Sequence, residues 1–170
     1  HPMSDEIKHE CGIAVVRLLK PLSFYQEKYG TPFYGLKKLY LLMQKQHNRG
    51  QDGAGVAAIK FDVKPGQKYI SRHRAAGSGA IQEIFSRIND RLDELKAAKP
   101  EKFANPEWIK KHAPFAGELL LGHLRYGTFG KNSADTCHPF LRQSNWQTKN
   151  LVLAGNFNLT NVDELFDKLV

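Results

Sequence analysis

Two residues of this sequence have side chains suited to attacking or binding a carbonyl compound, and the first is Cys11. It stands directly before Gly12, at the start of the short apolar run 13–16. A cysteine thiolate is the strongest ordinary protein nucleophile near neutral pH, but it needs a nearby base to accept its proton. The spacing indicates no Cys-His-Asp set. Because free cysteine is also a common core residue, Cys11 taken alone fits a buried strand cysteine as well as a nucleophile.

The second residue is Arg125, which lies at the end of a predicted strand, 118–126. A guanidinium binds a carboxylate through two parallel hydrogen bonds, which is how proteins usually hold the α-carboxylate of an amino acid. An unpaired charge at a buried strand end is costly. Arg125 therefore has either a bound carboxylate or a salt-bridge partner.

Other polar patterns do not predict a site. His9, Cys11, Cys137 and His138 fit no usual zinc spacing, and two adjacent residues are awkward ligands of one tetrahedral ion. Residues 77–79 (GSG) lack the further glycine and the preceding strand of a phosphate-binding loop, so they predict a helix start. We therefore predict no metal and no cofactor in this domain.

The elements that must position Cys11 and Arg125 are predicted from hydrophobic periodicity and indicate an α+β fold. One amphipathic helix follows Pro32, and another begins at 77–79 and carries an apolar stripe from Ile81 to Leu95. A capping-box spacing at 161–164 predicts a last helix. Segment 96–114 is predicted to be a surface insertion with about one helical turn, and 131–150 mostly loop. Strands are predicted at 12–17, 53–61, 68–73, 118–126 and 151–154, the second and third forming a hairpin and the last being buried.

The composition is that of one globular domain. The 170 residues are 41% hydrophobic and 25% charged, with a formal net charge of +8. The positive residues are dispersed, which favours a solvated surface over a nucleic-acid interface. No apolar stretch reaches the roughly 18 residues of a membrane span, and two cysteines are too few for a disulfide scaffold. We expect a cytoplasmic protein with no nucleic-acid or membrane partner.

Four stretches follow one another along nearly the whole chain: residues 11–13 (CGI), 47–55 (HNRGQDGAG), 122–128 (GHLRYGT) and 154–161 (AGNFNLTN). They resemble, in the same order, the motifs of class II glutamine amidotransferases. The chain is therefore similar to the N-terminal-nucleophile glutaminase domain of amidophosphoribosyltransferase-like enzymes. The resemblance implies a four-layer αββα sandwich, in which two antiparallel sheets pack between helical layers.

The resemblance also implies a reaction. Glutamine would be hydrolysed to glutamate and ammonia through a Cys11 thioester, and the ammonia would pass to phosphoribosyl pyrophosphate in purine biosynthesis. One alternative is a glutaminase domain that serves another acceptor, such as a sugar phosphate, 2-oxoglutarate or aspartate. The other alternative is a non-catalytic homologue.

In the family the base is the α-amino group of the nucleophilic cysteine, a group that titrates near ~8. That requires Cys11 to be the first residue. Residues 3–10 would then be a leader that is cut between Glu10 and Cys11, and residues 1–2 an expression scar. We expect Cys11 at the start of a central strand, near Arg125 and Asn156.

The remaining site residues are also implied by the resemblance. Arg125 would bind the glutamine carboxylate, with Thr128 beside it. Arg49 and Gly50 would line the pocket, although the additional Asn48 interrupts the family's motif.

An oxyanion hole would be formed by the side-chain amide of Asn156 and the backbone N–H of Phe157. The chain departs from the family at both flanking positions. Phe157 stands where the family has glycine, and Gly155 stands where it has histidine.

Residues 11–170 would be the N-terminal part of the glutaminase domain. The aspartate that binds the substrate's amino group and the phosphoribosyltransferase domain, which would carry a magnesium ion, would follow Val170. We therefore expect the chain by itself to be inactive. The expected partners are glutamine, the phosphoribosyltransferase domain of the same full-length chain and further copies in a homo-oligomer.

Overall fold

The computed structural model describes residues 10–47, 51–127 and 133–156, together with residues 164, 167 and 168. These residues form a mixed α/β fold with antiparallel sheets. Single turns of 3₁₀ helix lie at Pro100–Lys102, Ala134–Thr136 and Gln147–Lys149. The helices and strands are, in chain order, β1 (Gly12–Arg17), α1 (Leu22–Tyr29), α2 (Tyr34–Gln46), β2 (Gln51–Ile59), β3 (Ile70–Ala76), α3 (Ala80–Ala98), α4 (Pro106–His112), β4 (Leu119–Tyr126), β5 (Phe140–Arg142) and β6 (Leu151–Leu153).

The main sheet has four antiparallel strands in the order β1-β4-β2-β3. Ile13 of β1 lies opposite His123 of β4, and Gly55 of β2 lies opposite the same histidine on the other side. Since side chains alternate between the two faces of a strand, these three positions share one face of the sheet. β1 and β3 are the two edges of this sheet among the described residues.

A helical layer covers the opposite face. α2 packs on β1 and β4, while α3 packs on β2 and β3. The apolar residues of both helices recur every three or four positions, so one face of each helix is buried against the sheet. Each large aliphatic side chain buried there contributes about 1.5–3 kcal/mol. The buried side chains are Leu36, Leu39 and Met43 in α2 and Ile81, Ile84, Phe85, Ile88 and Leu92 in α3.

Segment 133–156, which contains β5 and β6, lies on the other face of the main sheet. The guanidinium of Arg74 donates to the backbone carbonyls of Asp135 and Cys137, both at 3.0 Å. Gly55 allows this close approach, because a Cβ at that position would collide with the backbone carbonyl of His138. The segment is thus held against β2 and β3 by the hydrogen bonds from Arg74 and by the close backbone approach at Gly55.

Several sequence predictions are confirmed. β1 has the predicted bounds, α2 and α3 lie where the apolar stripes placed them, and β2 and β3 form the predicted hairpin. The bounds of β2 and β3 are shifted by two or three residues from the predicted 53–61 and 68–73.

Other sequence predictions are wrong. Segment 21–32, for which no helix is predicted, contains α1, and the predicted single turn in 96–114 is the seven-residue α4. β6 is a strand as predicted but is not buried, since Leu151 is 52% and Leu153 43% exposed. The predicted last helix lies mainly outside the described residues. In the part of the chain that the structure describes, no helix is long and apolar enough to cross a membrane.

The contact at Gly55 predicts an asymmetry between two glycines. Gly55→Ala should lower the free energy of unfolding by about 2 kcal/mol, because the new methyl group forces apart two backbones that cannot move independently. Gly79→Ala is the matched control, since nothing lies within 4 Å of the position where its Cβ would be. Urea unfolding of both variants tests this. Equal stability of the two variants would show that segment 133–156 does not pack on β2 as described.

Candidate functional site

Cys11 lies directly before β1 and beside the end of β4. Its thiol is half-buried, and the sulfur accepts the backbone N–H of Tyr126 at 3.3 Å. The strand that follows it is an edge strand of the described sheet, so the expectation of a central strand is wrong. The expected proximity to Arg125 is confirmed, because Arg125 is the chain neighbour of Tyr126.

Cys137, the other cysteine, has a different environment. It is fully buried, and its thiol lies 3.4 Å from the carbonyl oxygen of Ala75 and 3.6 Å from that of Ser133. Burial raises the pKa of the Cys137 thiol. Because only a thiolate is an effective nucleophile, Cys11 is the reactive candidate and Cys137 is a packing residue.

Arg125 is buried at the strand end, as predicted, and has an ion-pair partner on the neighbouring strand. One terminal nitrogen of its guanidinium lies 3.0 and 3.1 Å from the two carboxylate oxygens of Asp52. The pairing of β2 with β4 shifts register between Gln51 and Gly53, so Asp52 is the extra residue of a β-bulge. A bulge re-aims a side chain, and here it accounts for the orientation of the carboxylate toward Arg125.

Gly127 lies against this ion pair. A Cβ at residue 127 would collide with the Asp52 carboxylate and with the guanidinium of Arg125. Any side chain there would therefore displace the ion pair. On the adjacent strand the amide nitrogen of the buried Gln51 side chain donates to the Glu10 carbonyl at 3.4 Å. β2 thus binds Glu10, the residue before Cys11, while the end of β4 contacts Cys11 itself.

A pair of histidines binds both backbone polar groups of one residue, Gly155. The Gly155 N–H donates to Nδ1 of His138 at 3.1 Å, and the Gly155 carbonyl oxygen lies 3.1 Å from Nε2 of His123. The ring centroids are 4.4 Å apart. A carbonyl only accepts, so His123 carries its proton on Nε2, while His138 must leave Nδ1 unprotonated. We call this arrangement the histidine clamp.

The electrostatics of the histidine clamp agree with those proton positions. Burial, with the adjacent His138, lowers the pKa of His123 to about 4. Burial also lowers the pKa of His138. Both rings are therefore neutral at pH 7, as the two hydrogen bonds require.

The structure describes three of the site residues predicted from the sequence: Cys11, Arg125 and Asn156. Asn156 is exposed and directly follows Gly155, the residue held by the histidine clamp. The predicted roles of four others, Phe157, Thr128, Arg49 and Gly50, concern positions outside the described residues.

Sequence reasoning missed the histidine clamp and the pairing of Asp52 with Arg125. Asp52 and His123 both lie inside the motif stretches, so the sequence marked them as candidate site residues. The motifs do not show which residue each of them contacts. His138 was considered only as a metal ligand. Among the described residues no group of three or more His, Cys, Asp or Glu side chains could hold a metal ion.

Comparison with known proteins gives one consistent group of relatives. The amidophosphoribosyltransferase of Bacillus subtilis (strain 168) is 30% identical over 170 residues, which is 98% of this chain and 26% of the relative. The enzymes of that name from Methanocaldococcus jannaschii and Archaeoglobus fulgidus are 29% and 31% identical, each over 76% of this chain and 21% of the relative. The chain thus spans 21% to 26% of the length of these relatives. No protein-family model matches it, and no solved structure is significantly similar.

The two cysteine environments predict selective alkylation. Under native conditions iodoacetamide should modify Cys11 and leave Cys137 unmodified, since only Cys11 combines an accessible thiol with a backbone donor. Peptide mass spectrometry before and after denaturation measures both residues in one sample. Modification of Cys137 at the same native rate would contradict the described burial.

The lowered pKa of His123 predicts a pH dependence of stability. The unfolded chain binds a proton near pH 6.5 and the folded chain only near pH 4, so this contribution is lost as the pH falls between these values. A shift of this size corresponds to on the order of 3 kcal/mol at most. Between pH 7 and 4.5 the wild type should lose more unfolding free energy than His123→Gln. His112→Gln, which changes an exposed histidine, is the control, and identical losses in all three proteins would contradict the prediction.

Proposed function

Because this chain belongs to the amidophosphoribosyltransferase family of glutamine amidotransferases, we propose that it forms the site that releases ammonia from glutamine. The observation that carries the proposal is the position of Cys11, whose sulfur accepts the Tyr126 N–H at 3.3 Å beside the buried Arg125. A nucleophile and a carboxylate-binding cation thus lie next to each other at the end of β4. An amino acid with a side-chain amide matches both groups.

The Cys11 sulfur attacks the amide carbon of the glutamine side chain after its proton has moved to the base. The resulting tetrahedral intermediate breaks its C–N bond, and the departing nitrogen takes the proton from the base and leaves as ammonia. A thioester between Cys11 and the glutamyl group remains. A water molecule then attacks the thioester carbon, which releases glutamate and returns the proton to the cysteine.

The base in this proposal is the α-amino group of Cys11 itself. That group exists only when the peptide bond between Glu10 and Cys11 has been cleaved, because an amide nitrogen does not accept a proton near neutral pH. An α-amine titrates near ~8, which suits proton transfer at physiological pH. The nitrogen and the sulfur belong to the same residue, so no further residue is needed to bring the base to the nucleophile.

Arg125 binds the substrate's α-carboxylate in this proposal, even though Asp52 already contacts its guanidinium. A guanidinium has five N–H donors in a planar fork and can bind two carboxylates at once. Asp52 orients the fork through one nitrogen. Thr128, Arg49 and Gly50 are assigned to the substrate pocket from the family motifs.

The oxyanion hole is assigned to the Asn156 side chain and the Phe157 backbone N–H. A well-placed donor of this kind stabilises a tetrahedral intermediate by about 3–4 kcal/mol. The histidine clamp supports the assignment, because it fixes both polar groups of Gly155, the residue before Asn156. Phe157 retains its backbone donor whatever its side chain.

The ammonia acceptor is proposed from the names of the relatives. An amidophosphoribosyltransferase adds an amino group to a phosphoribosyl group, so phosphoribosyl pyrophosphate is the proposed acceptor and purine biosynthesis the proposed pathway. The acceptor would bind a separate phosphoribosyltransferase domain with its magnesium ion. The family's four-layer sandwich would be completed by a second helical layer over β5 and β6.

The nucleophile is tested in the full-length mature protein that begins at Cys11. Cys11→Ala should reduce glutamine-dependent activity to background and leave ammonia-dependent synthesis intact, because only glutamine hydrolysis needs the thiol. Cys137→Ala is the matched control and should keep both activities. If the mature wild type hydrolysed no glutamine, the alternative of a non-catalytic homologue would replace this proposal.

The substrate role of Arg125 is tested by a double variant, because a single change leaves the Asp52 carboxylate without its partner. Arg125→Gln combined with Asp52→Asn removes both charges. It should raise the KM for glutamine by about 10- to 100-fold, the size expected for a lost charge-assisted hydrogen bond, with a smaller effect on kcat. Steady-state glutaminase kinetics measure the two constants. A collapse of kcat at unchanged KM would assign Arg125 to the chemical step instead.

A further inference from the structure

A cavity of about 260 Å³ lies at the opposite end of the main sheet from Cys11. β2 begins close to Cys11 and runs for nine residues before the chain reaches Lys60. The cavity and Cys11 are therefore roughly 30 Å apart. All titratable side chains that line this cavity are basic. The lining residues with polar side chains are Lys60, Lys68, Ser71, Arg91, Lys111 and His112. We call it the Lys60 cavity.

Lys60 is buried, with 7% of its surface exposed, yet it has no ion-pair partner among the described residues. The acidic residue that acts on Lys60 is Glu118, and both of its carboxylate oxygens are already bound. One lies 2.5 Å from the ammonium of Lys110, and the other accepts the backbone N–H of Phe61 at 2.9 Å. Lys60 therefore remains as a buried positive charge without a carboxylate of its own.

The energetic consequence appears in the pKa of Lys60. Burial, with the positive charges of Lys110 and Lys68, lowers it to about 8 despite the opposing effect of Glu118. The side chain nevertheless stays mainly protonated at pH 7. A buried cation with incomplete compensation is destabilising, and an anion in the Lys60 cavity would relieve that cost.

The other walls of the Lys60 cavity add positive charge rather than removing it. The guanidinium of Arg91 forms a salt bridge of 2.8 Å with the carboxylate of Glu94, but Glu94 does not line this cavity. A neighbouring cavity of about 420 Å³ shares Lys68, Ser71, Arg91 and Pro114 with it and contains the stacked rings of His73 and Phe115, 5.0 Å apart. Both signs of charge line this larger cavity, since Asp90 and Glu94 lie there with Arg72 and Arg87. The smaller cavity is large enough for a phosphate group, and the larger one has space for what the phosphate is attached to.

We propose that the Lys60 cavity binds a phosphate group, either as free phosphate or as the end of a small phosphate monoester. The ammonium of Lys60 contacts the phosphate oxygens, and Lys68, Arg91 and Lys111 provide the surrounding positive charge. Ser71 contributes a hydroxyl donor. This site is separate from the glutamine site and does not depend on the function proposed for Cys11.

The test is isothermal titration calorimetry on the full-length protein at pH 7, with inorganic phosphate and glycerol 1-phosphate titrated separately at constant ionic strength. We expect saturable binding of at least one ligand to one site. Tighter binding of the monoester identifies a phosphorylated small molecule as the natural ligand, and binding of inorganic phosphate alone identifies free phosphate. Absence of saturable binding by either ligand overturns the proposal.

Variants locate the binding. Lys60→Met should weaken the affinity at least about tenfold, since one charge-assisted contact is lost, and should raise the melting temperature of the unliganded protein because a buried charge is removed. Lys60→Arg should bind within a few fold of the wild type. Lys45→Met, an exposed lysine of α2, is the matched control for net charge. If Lys60→Met bound phosphate as tightly as the wild type, the site would not be in this cavity.

Discussion

The ion pair between Arg125 and Asp52 is the interaction on which the candidate site depends. It joins the end of β4 to the start of β2 at a position where both side chains are largely buried. Removing one partner of such a pair costs about 3–5 kcal/mol, because the other charge remains without compensation. The pair therefore fixes the relative position of two strand ends, and Cys11 is attached to one of them through the Tyr126 backbone.

Backbone geometry makes this pairing possible. The β-bulge at Asp52 turns a carboxylate toward Arg125 that a regular strand would direct to the other face. Gly127 leaves the space that the two charged groups occupy. The same principle operates later in the chain, where Gly155 presents both of its backbone polar groups to the histidine clamp. Both sides of the candidate site are thus positioned through main-chain atoms.

Local patterns in the sequence predicted the elements whose burial is one-sided. α3 buries a regular apolar stripe, so period and burial agree. β1 has the predicted bounds, although Ile13 and Val15 of its apolar run are exposed. α1 was missed because only Leu22 is buried, while Tyr25 and Tyr29 stack on Tyr34 at 5.3 and 4.2 Å instead of contributing an apolar face. β6 was judged buried from its leucine-rich sequence, but composition does not show which strand faces a neighbouring layer.

The pairs that organise the site could not be predicted in the same way. Asp52 and Arg125 are 73 residues apart in the chain, and His138 and Gly155 are 17 apart. Motif likeness identified Cys11 and Arg125 as candidates and placed them correctly beside each other. It did not reveal that Arg125 already has a carboxylate partner, because that depends on a bulge that leaves no trace in hydrophobic periodicity.

The two ends of β2 differ in whether a nearby buried positive charge has a carboxylate partner. At the Cys11 end Asp52 neutralises Arg125, so a substrate carboxylate must share a guanidinium that is already compensated. At the other end Glu118 is bound by Lys110, and Lys60 keeps its charge without a counterpart. An incoming anion therefore gains little new neutralisation beside Asp52 but full neutralisation beside Lys60. Binding at the first end must depend on the directional fit of hydrogen bonds, whereas binding at the second can be driven by charge itself.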